Sequence, residues 1–183
     1  MKKFLVVLFV LGTFVSLQAQ KYFTKSGNIS FNASSPLEPI EGSTRTASCV
    51  LDVPTGNIEF AVLIKTFLFT QALMQEHFNE NYMESNKFPK GSFKGRIDNI
   101  KDVNFKKDGT YKVKLSGNLE IHGVTKPIST TADFIINSSK IRASSNIVVA
   151  LADYNIKIPG AVSNKIAKSA KISILADFQE LKK

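Results

Sequence analysis

The stretch YKVKLSGNLEIHGVTKPISTTADFII, from Tyr111 to Ile136, decides the fold. Apolar residues occupy alternate positions in its first half, with lysine, serine, asparagine and glutamate between them. The same alternation returns from Ile128 to Ile136. A period of two is typical of strands that bury one face. We therefore predict two antiparallel strands that reverse near His122 and Gly123.

This alternation recurs along most of the chain. The segments between strands are rich in turn-forming residues, such as Pro54-Thr55-Gly56-Asn57 and Lys107-Asp108-Gly109. Short links favour pairing of sequential strands. Eight antiparallel strands with one apolar face indicate a closed barrel or a sandwich, and the pattern leaves a packed interior and a ligand cavity both open. The predicted strands are Ile29–Ala33, Thr44–Val53, Ile58–Phe69, Phe93–Ile100, Tyr111–Ile121, Ile128–Ile136, Ile141–Val149 and Ala170–Phe178.

Two segments interrupt the alternation. From Thr70 to Met83, apolar residues follow helical spacing, and Thr70 is a candidate cap. We predict a short helix or helical loop there, between the third and fourth strands. The second interruption, Asp153 to Lys168, contains Pro159 and Gly160 and a small helical pattern that ends near Ala167.

The N-terminus resembles a secretory signal peptide. Two lysines precede an apolar run from Phe4 to Leu11, which is too short to span a membrane. We predict a leader over residues 1–20, one domain over residues 21–183, and a periplasmic or secreted product. The formal net charge of +9 favours anionic partners in general, but export and the scattered lysines argue against nucleic acid.

Residues capable of catalysis or metal binding are few. His77, Glu80 and Glu84 would share one face of a continuous helix, which is weak support for a metal site. His122 falls on the outward phase, and we interpret it as a turn residue bonded to nearby backbone. Cys49 lies on the apolar phase and is expected to be buried and inert. We therefore predict neither a metal, a cofactor nor an enzymatic activity.

Two longer motifs carry a family resemblance. QEHFNENYMESNKFPKGSFKGRI, from Gln75 to Ile97, and LSGNLEIHGVTKPI, from Leu115 to Ile128, resemble the YceI-like family of exported lipid-binding proteins. The resemblance spans essentially the whole chain after the leader. The segment LADYNIKIPG, from Leu151 to Gly160, departs from the family pattern at Ala152 and Asn155.

The resemblance implies an eight-stranded, lipocalin-like antiparallel barrel whose interior binds an isoprenoid or other long-chain lipid. The expected lining residues are the inward-phase side chains together with two from the helical segment, which would form a lid or wall. They are Phe60, Val62, Ile64, Leu73, Phe78, Phe93, Ile97, Val113, Leu115, Phe134, Ile147 and Ile172.

Three functional hypotheses follow. The leading one is an exported carrier or sequestering protein for a lipid, without covalent chemistry. The second is an enzyme for a hydrophobic substrate, with His77 and Glu76 or Glu80 as acid and base. The third is an envelope protein that contacts a membrane surface or a partner, and homodimerisation is left open.

Overall fold

The computed structural model describes residues 20–138 and 140–181, which form a closed antiparallel β-barrel. Each strand pairs with the next along the chain, and the last strand pairs with the first. The predicted eight-stranded barrel is therefore confirmed, whereas the predicted leader lies outside the described residues except for Gln20. The strands are β1 (Lys21–Ser34), β2 (Glu41–Asp52), β3 (Asn57–Leu63), β4 (Lys90–Ile97), β5 (Gly109–Ile121), β6 (Val124–Asn137), β7 (Lys140–Ala150) and β8 (Ile166–Glu180).

The hairpin predicted from Tyr111 to Ile136 is the longest uninterrupted pairing in the sheet. Strands β5 and β6 stay in register from Gly109 opposite Ile136 to Ile121 opposite Val124. His122 and Gly123 form the reversal with φ of 52° and 71°. Two-residue hairpin turns of this kind require left-handed backbone, which glycine adopts without strain and histidine adopts more readily than most residues.

The connection between β3 and β4 contains the predicted helix, with different boundaries. Strand β3 ends at Leu63, and a 3₁₀ turn (Ile64–Thr66) replaces the strand expected to continue to Phe69. Helix α1 (Ala72–His77) leads into a π-helical turn (Phe78–Tyr82). Thr70 does not cap the helix, since Gln71 is the N-cap residue and makes no side-chain cap bond. The apolar run after Leu63 belongs to a chain that crosses the end of the barrel. Alternation alone therefore overestimates the length of the third strand.

The small helical pattern predicted in the second interruption corresponds to short 3₁₀ turns, and its predicted end near Ala167 is wrong. The connection between β7 and β8 contains two 3₁₀ turns (Leu151–Tyr154 and Gly160–Val162), and β8 begins at Ile166. Sheet pairing explains this difference, because Ser34 on β1 pairs with Ile166 at the start of β8. Backbone hydrogen bonds to a neighbouring strand outweigh a weak local helical pattern.

Sequential antiparallel pairing places the connections alternately at the two ends of the barrel. The segments 53–56 and 98–108, together with Ser138, lie at one end, which we call the packed end. The segments 35–40, 64–89, 122–123 and 151–165 lie at the other, which we call the open end. The two longest connections are both at the open end.

The interior is divided in the same way into two apolar clusters. One cluster fills the packed end with fully buried side chains such as Leu51, Val113 and Phe134. The 98–108 segment covers it, because Phe105 is buried there and its ring stacks on Tyr22 at 6.2 Å. The second cluster surrounds the open end and includes many half-buried side chains. A solid core therefore stabilises one half of the barrel and leaves room in the other.

Candidate ligand cavity

A cavity of about 460 Å³ occupies the open half of the barrel. Its volume falls within the roughly 300–1,000 Å³ typical of small-molecule sites. Aliphatic and aromatic side chains from the barrel strands and from the 64–89 and 151–165 segments form most of its wall. The arrangement is chemically suited to an apolar guest, because few polar groups are available to bind a hydrophilic one.

Nine of the twelve predicted lining residues reach this cavity. They are Phe60, Val62, Ile64, Leu73, Phe78, Phe93, Leu115, Ile147 and Ile172. The other three, Ile97, Val113 and Phe134, belong to the packed cluster and do not line it. Alternation identifies which side chains point inward, but it carries no information about their height along the barrel axis. The position of an inward side chain along the barrel axis decides whether it belongs to the packed core or lines the cavity.

An aromatic cluster, of which only Phe78 is among the predicted lining residues, forms one wall of the cavity. The ring of Phe31 on β1 stacks on Phe78 at 5.3 Å and contacts Phe67 and Phe69 at 5.7 Å each. Phe69 also packs against Phe78 at 4.9 Å. The run Phe67-Leu68-Phe69 is apolar throughout and lies in the segment predicted as the end of the third strand, Ile58–Phe69. The structure ends that strand at Leu63, so strand alternation does not identify Phe67 and Phe69 as inward.

The floor of the cavity is formed around Phe93, which packs against both apolar clusters. Its ring lies over Gly95 and Gly117, which are paired across β4 and β5. A Cβ added to Gly95 would lie 2.5 Å from the Phe93 ring, and one added to Gly117 would lie 2.9 Å from it. The two glycines thus allow an inward phenylalanine to lie along the strands and separate core from cavity.

Charged groups that line the cavity lie mainly at its rim. The Lys165 ammonium lies 3.4 Å from the Glu38 carboxylate, linking the β1–β2 and β7–β8 connections. His77 and Gln71 lie on the adjacent helical segment. Burial, together with the nearby Glu38 charge, raises the pKa of Tyr82, so this phenol is neutral at physiological pH. The rim can orient the polar end of a ligand whose apolar part lies deeper.

Two hydroxyls lie deeper in the wall. Thr130 on β6 and Ser145 on β7 line the cavity near Leu115. The Ser145 hydroxyl donates a 2.7 Å hydrogen bond to the Thr131 carbonyl, so its proton is already used by the sheet. The deep part of the cavity therefore remains predominantly apolar in character.

His77, Glu80 and Glu84 do not share one face of a continuous helix, because α1 ends at His77. His77 is exposed at the cavity rim, while Glu84 lies beyond the π-helical turn in left-handed backbone with φ of 42°. Within residues 20–138 and 140–181 there is no group of three histidine, cysteine or acidic side chains arranged to hold a metal ion. Glu84 instead bonds to His122.

His122 is buried, contrary to the prediction that it faces outward. Only 8% of it is exposed, its Nδ1 lies 3.0 Å from the Tyr154 carbonyl oxygen, and its Nε2 lies 2.9 Å from the Glu84 carboxylate. Its partners are therefore far away in sequence. The Phe88 ring covers the turn, 4.5 Å from the imidazole and in contact with Gly123. His122 ties together three connections of the open end.

Cys49 is buried in the packed cluster, as predicted. Burial strongly raises the pKa of its thiol, which keeps the sulfur protonated. A protonated thiol is a poor nucleophile. Cys49 therefore contributes to packing and lies outside the cavity.

An eight-stranded barrel with one packed end and an apolar cavity at the other has the architecture of barrels that can hold one small ligand. Comparison with protein families matches residues 12–178 to the YceI-like domain. The chain therefore belongs to the YceI-like family. Comparison with curated proteins gave no match.

Solved structures share this fold at low sequence identity. A polyisoprenoid binding domain from Saccharophagus degradans, implicated in plant cell wall breakdown, superposes with a TM-score of 0.77 at 12% identity, covering 90% of this chain and 100% of the other. BcnA from Burkholderia cenocepacia gives 0.68 at 12% identity, covering 84% and 96%. The YCEI protein of Campylobacter jejuni gives 0.53 at 17% identity, covering both chains fully.

Proposed function

We propose that this protein binds an isoprenoid or other long-chain lipid in the cavity and acts as a carrier or sequestering protein. The observation that carries the proposal is an apolar cavity whose charged lining groups are concentrated at the rim. The shared fold with a polyisoprenoid binding domain supports the same ligand class. The proposal involves no covalent step.

The energetics of such binding are favourable. Each five-carbon isoprene unit removed from water contributes about 3–4 kcal/mol, at roughly 0.8 kcal/mol per methylene. Micromolar affinity needs about 8 kcal/mol net, so a few buried units offset the cost of association. The chain of the lipid sets affinity in this arrangement, and the rim near Glu38, His77 and Lys165 sets its direction.

We further propose that the protein acts after export, in the periplasm or outside the cell. The apolar leader predicted over residues 1–20 supports this location. In residues 20–138 and 140–181, no helix has the length and apolar character needed to cross a membrane.

The test uses two neighbouring residues on opposite faces of β7. Ile147 lines the cavity, whereas Val148 points outward and is 66% exposed. Ile147→Trp fills part of the cavity, and Val148→Trp adds the same ring outside it. Native mass spectrometry of gently purified protein is expected to detect a copurified lipid with the wild type and Val148→Trp and a much weaker signal with Ile147→Trp.

Circular dichroism of both variants establishes that each barrel is folded. A wild-type protein that is reproducibly empty and takes up no added isoprenoid would overturn the proposal. Equal lipid retention by folded Ile147→Trp and Val148→Trp would place the ligand elsewhere on the molecule.

A further inference from the structure

Exposed leucines are concentrated at the open end. Leu37, Leu63, Leu68 and Leu73 are 67%, 58%, 65% and 62% exposed, and all four lie on or beside connections around the cavity. Among the other large apolar side chains that the structure shows exposed, Val50 and Ile135 lie on the outer wall, and Leu181 follows β8 at the packed end. Single exposed leucines are ordinary, but several around one opening indicate an interaction surface.

Leu63, Leu68 and Leu73 lie between residues 60 and 75, a segment that also forms part of the cavity wall. Phe67 and Phe69 turn inward to the ring of Phe31, while Leu68 between them faces solvent. The backbone of Leu68 makes two hydrogen bonds to Ser43, at 2.8 and 3.1 Å. The segment is therefore held against β2 with its leucine outward. One face of this segment lines the cavity, and the opposite face is exposed to solvent.

The charge of this segment favours a particular partner. From Phe60 to Gln75 the sequence contains no carboxylate and one basic residue, Lys65. Lys65 is exposed beside Leu63, and its ammonium donates to the Asn86 side chain. Leu37 lies on another connection and precedes Glu38, whose charge is paired with Lys165 at 3.4 Å. Leu63 and Leu68, on a segment with one lysine and no carboxylate, are suited to the interface of a bilayer that carries neutral or anionic headgroups.

We propose that the open end docks on a lipid bilayer through Leu37, Leu63 and Leu68, with Leu73 at the cavity edge. The role of this surface rests on the proposed function, because a carrier must collect its ligand from the membrane in which that ligand dissolves. Docking brings the cavity mouth to the bilayer, and the lipid chain passes from acyl chains to aromatic wall with little exposure to water. Hydrophobic insertion supplies most of the binding, so docking persists at high salt.

The first experiment exploits the absence of tryptophan from the chain. Leu68→Trp places a single fluorescent probe on the docking surface, and Ile135→Trp places one on the outer wall at the packed end. Vesicles of phosphatidylcholine, alone or with phosphatidylglycerol, are expected to shift the emission of Leu68→Trp to the blue. The emission of Ile135→Trp is expected to remain unchanged.

The second experiment removes the surface while leaving the cavity lining intact. Leu37, Leu63 and Leu68 do not line the cavity, so the triple serine variant Leu37→Ser/Leu63→Ser/Leu68→Ser preserves the ligand site. Its cosedimentation with vesicles is expected to fall about tenfold. Its affinity for a short, water-soluble isoprenoid is expected to equal that of the wild type.

The two measurements separate the proposals. Vesicle binding that is equal in the wild type and the folded triple variant would overturn the docking surface, even if the isoprenoid still binds. Vesicle binding without any isoprenoid uptake would leave the surface and overturn the proposed function. A wild-type dimer that dissociates in the triple variant and ignores vesicles would show that a second copy covers the leucines, which also contradicts docking on a bilayer.

Discussion

At the scale of single residues, two facing glycines set the depth of the cavity. Gly95 and Gly117 have no side chain, and this space lets the Phe93 ring lie along β4 and β5. In a sequence, an inward glycine in a strand suggests a weak or bent position. Here the missing side chains allow one ring to close the packed core and form the floor of the cavity.

Gly117→Ala is predicted to destabilise the barrel. The new Cβ would lie 2.5 Å from the Cα of Gly95 and from the carbonyl oxygen of Lys94, both of which are backbone atoms. Relief of this overlap needs movement of two strands, which costs about 1–3 kcal/mol, as in other overpacked cores. Urea denaturation measures the free energy of unfolding.

Gly160→Ala is the matched control for this substitution. No atom lies within 4 Å of the Cβ that it would add. We expect its midpoint in urea to stay close to that of the wild type. Equal midpoints for Gly117→Ala and wild type would show that the strands separate without cost and that the glycine pair is dispensable.

At the scale of elements, the two motifs that carry the family resemblance meet at one point. Glu84 and Phe88 come from the first motif, and His122 and Gly123 come from the second. The carboxylate bonds to the imidazole, and the phenyl ring covers both turn residues. These residues connect the β3–β4 and β7–β8 segments to the β5–β6 turn. Their arrangement gives both motifs a structural role at the open end.

His122→Asn is predicted to loosen the open end without unfolding the barrel. Asparagine tolerates the left-handed backbone of the turn, but its shorter side chain cannot bridge the Tyr154 carbonyl and Glu84. Loss of these bonds costs about 1–3 kcal/mol. Hydrogen exchange is expected to accelerate at the amides of Lys87, Phe88 and Ile156, which belong to the tied segments.

Glu84→Gln provides the control for that substitution. A glutamine oxygen still accepts from the ring, so exchange is expected to change less than in His122→Asn. Amides of the packed end, such as that of Val113, are expected to be unaffected by both. Uniform acceleration across the barrel would contradict a local role for His122.

At the scale of the whole molecule, the packed core and the cavity occupy opposite ends of the barrel. The packed cluster contains side chains with almost no exposure, while the open end leaves a cavity of about 460 Å³. Space inside a barrel forfeits dispersion contacts on the side that faces it. The buried cluster at the packed end compensates by closing its half of the interior.

This division predicts opposite responses to two truncations. Val113→Ala removes atoms from the packed cluster and is expected to cost about 2 kcal/mol of stability with ligand affinity retained. Ile172→Ala removes more atoms but from the cavity wall, so it is expected to cost less stability and weaken ligand binding more. Chemical denaturation and isoprenoid titration of the same samples measure both. The reverse order in either quantity would contradict the division.

The sequence predicts the fold correctly, but only nine of the twelve predicted lining residues reach the cavity. Strand alternation and turn residues led to the eight-stranded barrel, because each strand shows its buried face in every second residue. The same pattern identified Phe60, Ile147 and Ile172 as inward, and all three reach the cavity. It included Val113 and Phe134 for the same reason, although their height along the axis puts them in the packed core.

The sequence by itself thus determined the class of fold, the inward side of each strand and the family. Only the tertiary structure decided where the cavity ends, which leucines surround it, and that His122 is buried against Glu84 and Tyr154. The reason is physical: periodicity is a local property, fixed by how each strand presents its two faces. Cavity depth and long-range hydrogen bonds depend on which distant segments barrel closure brings together.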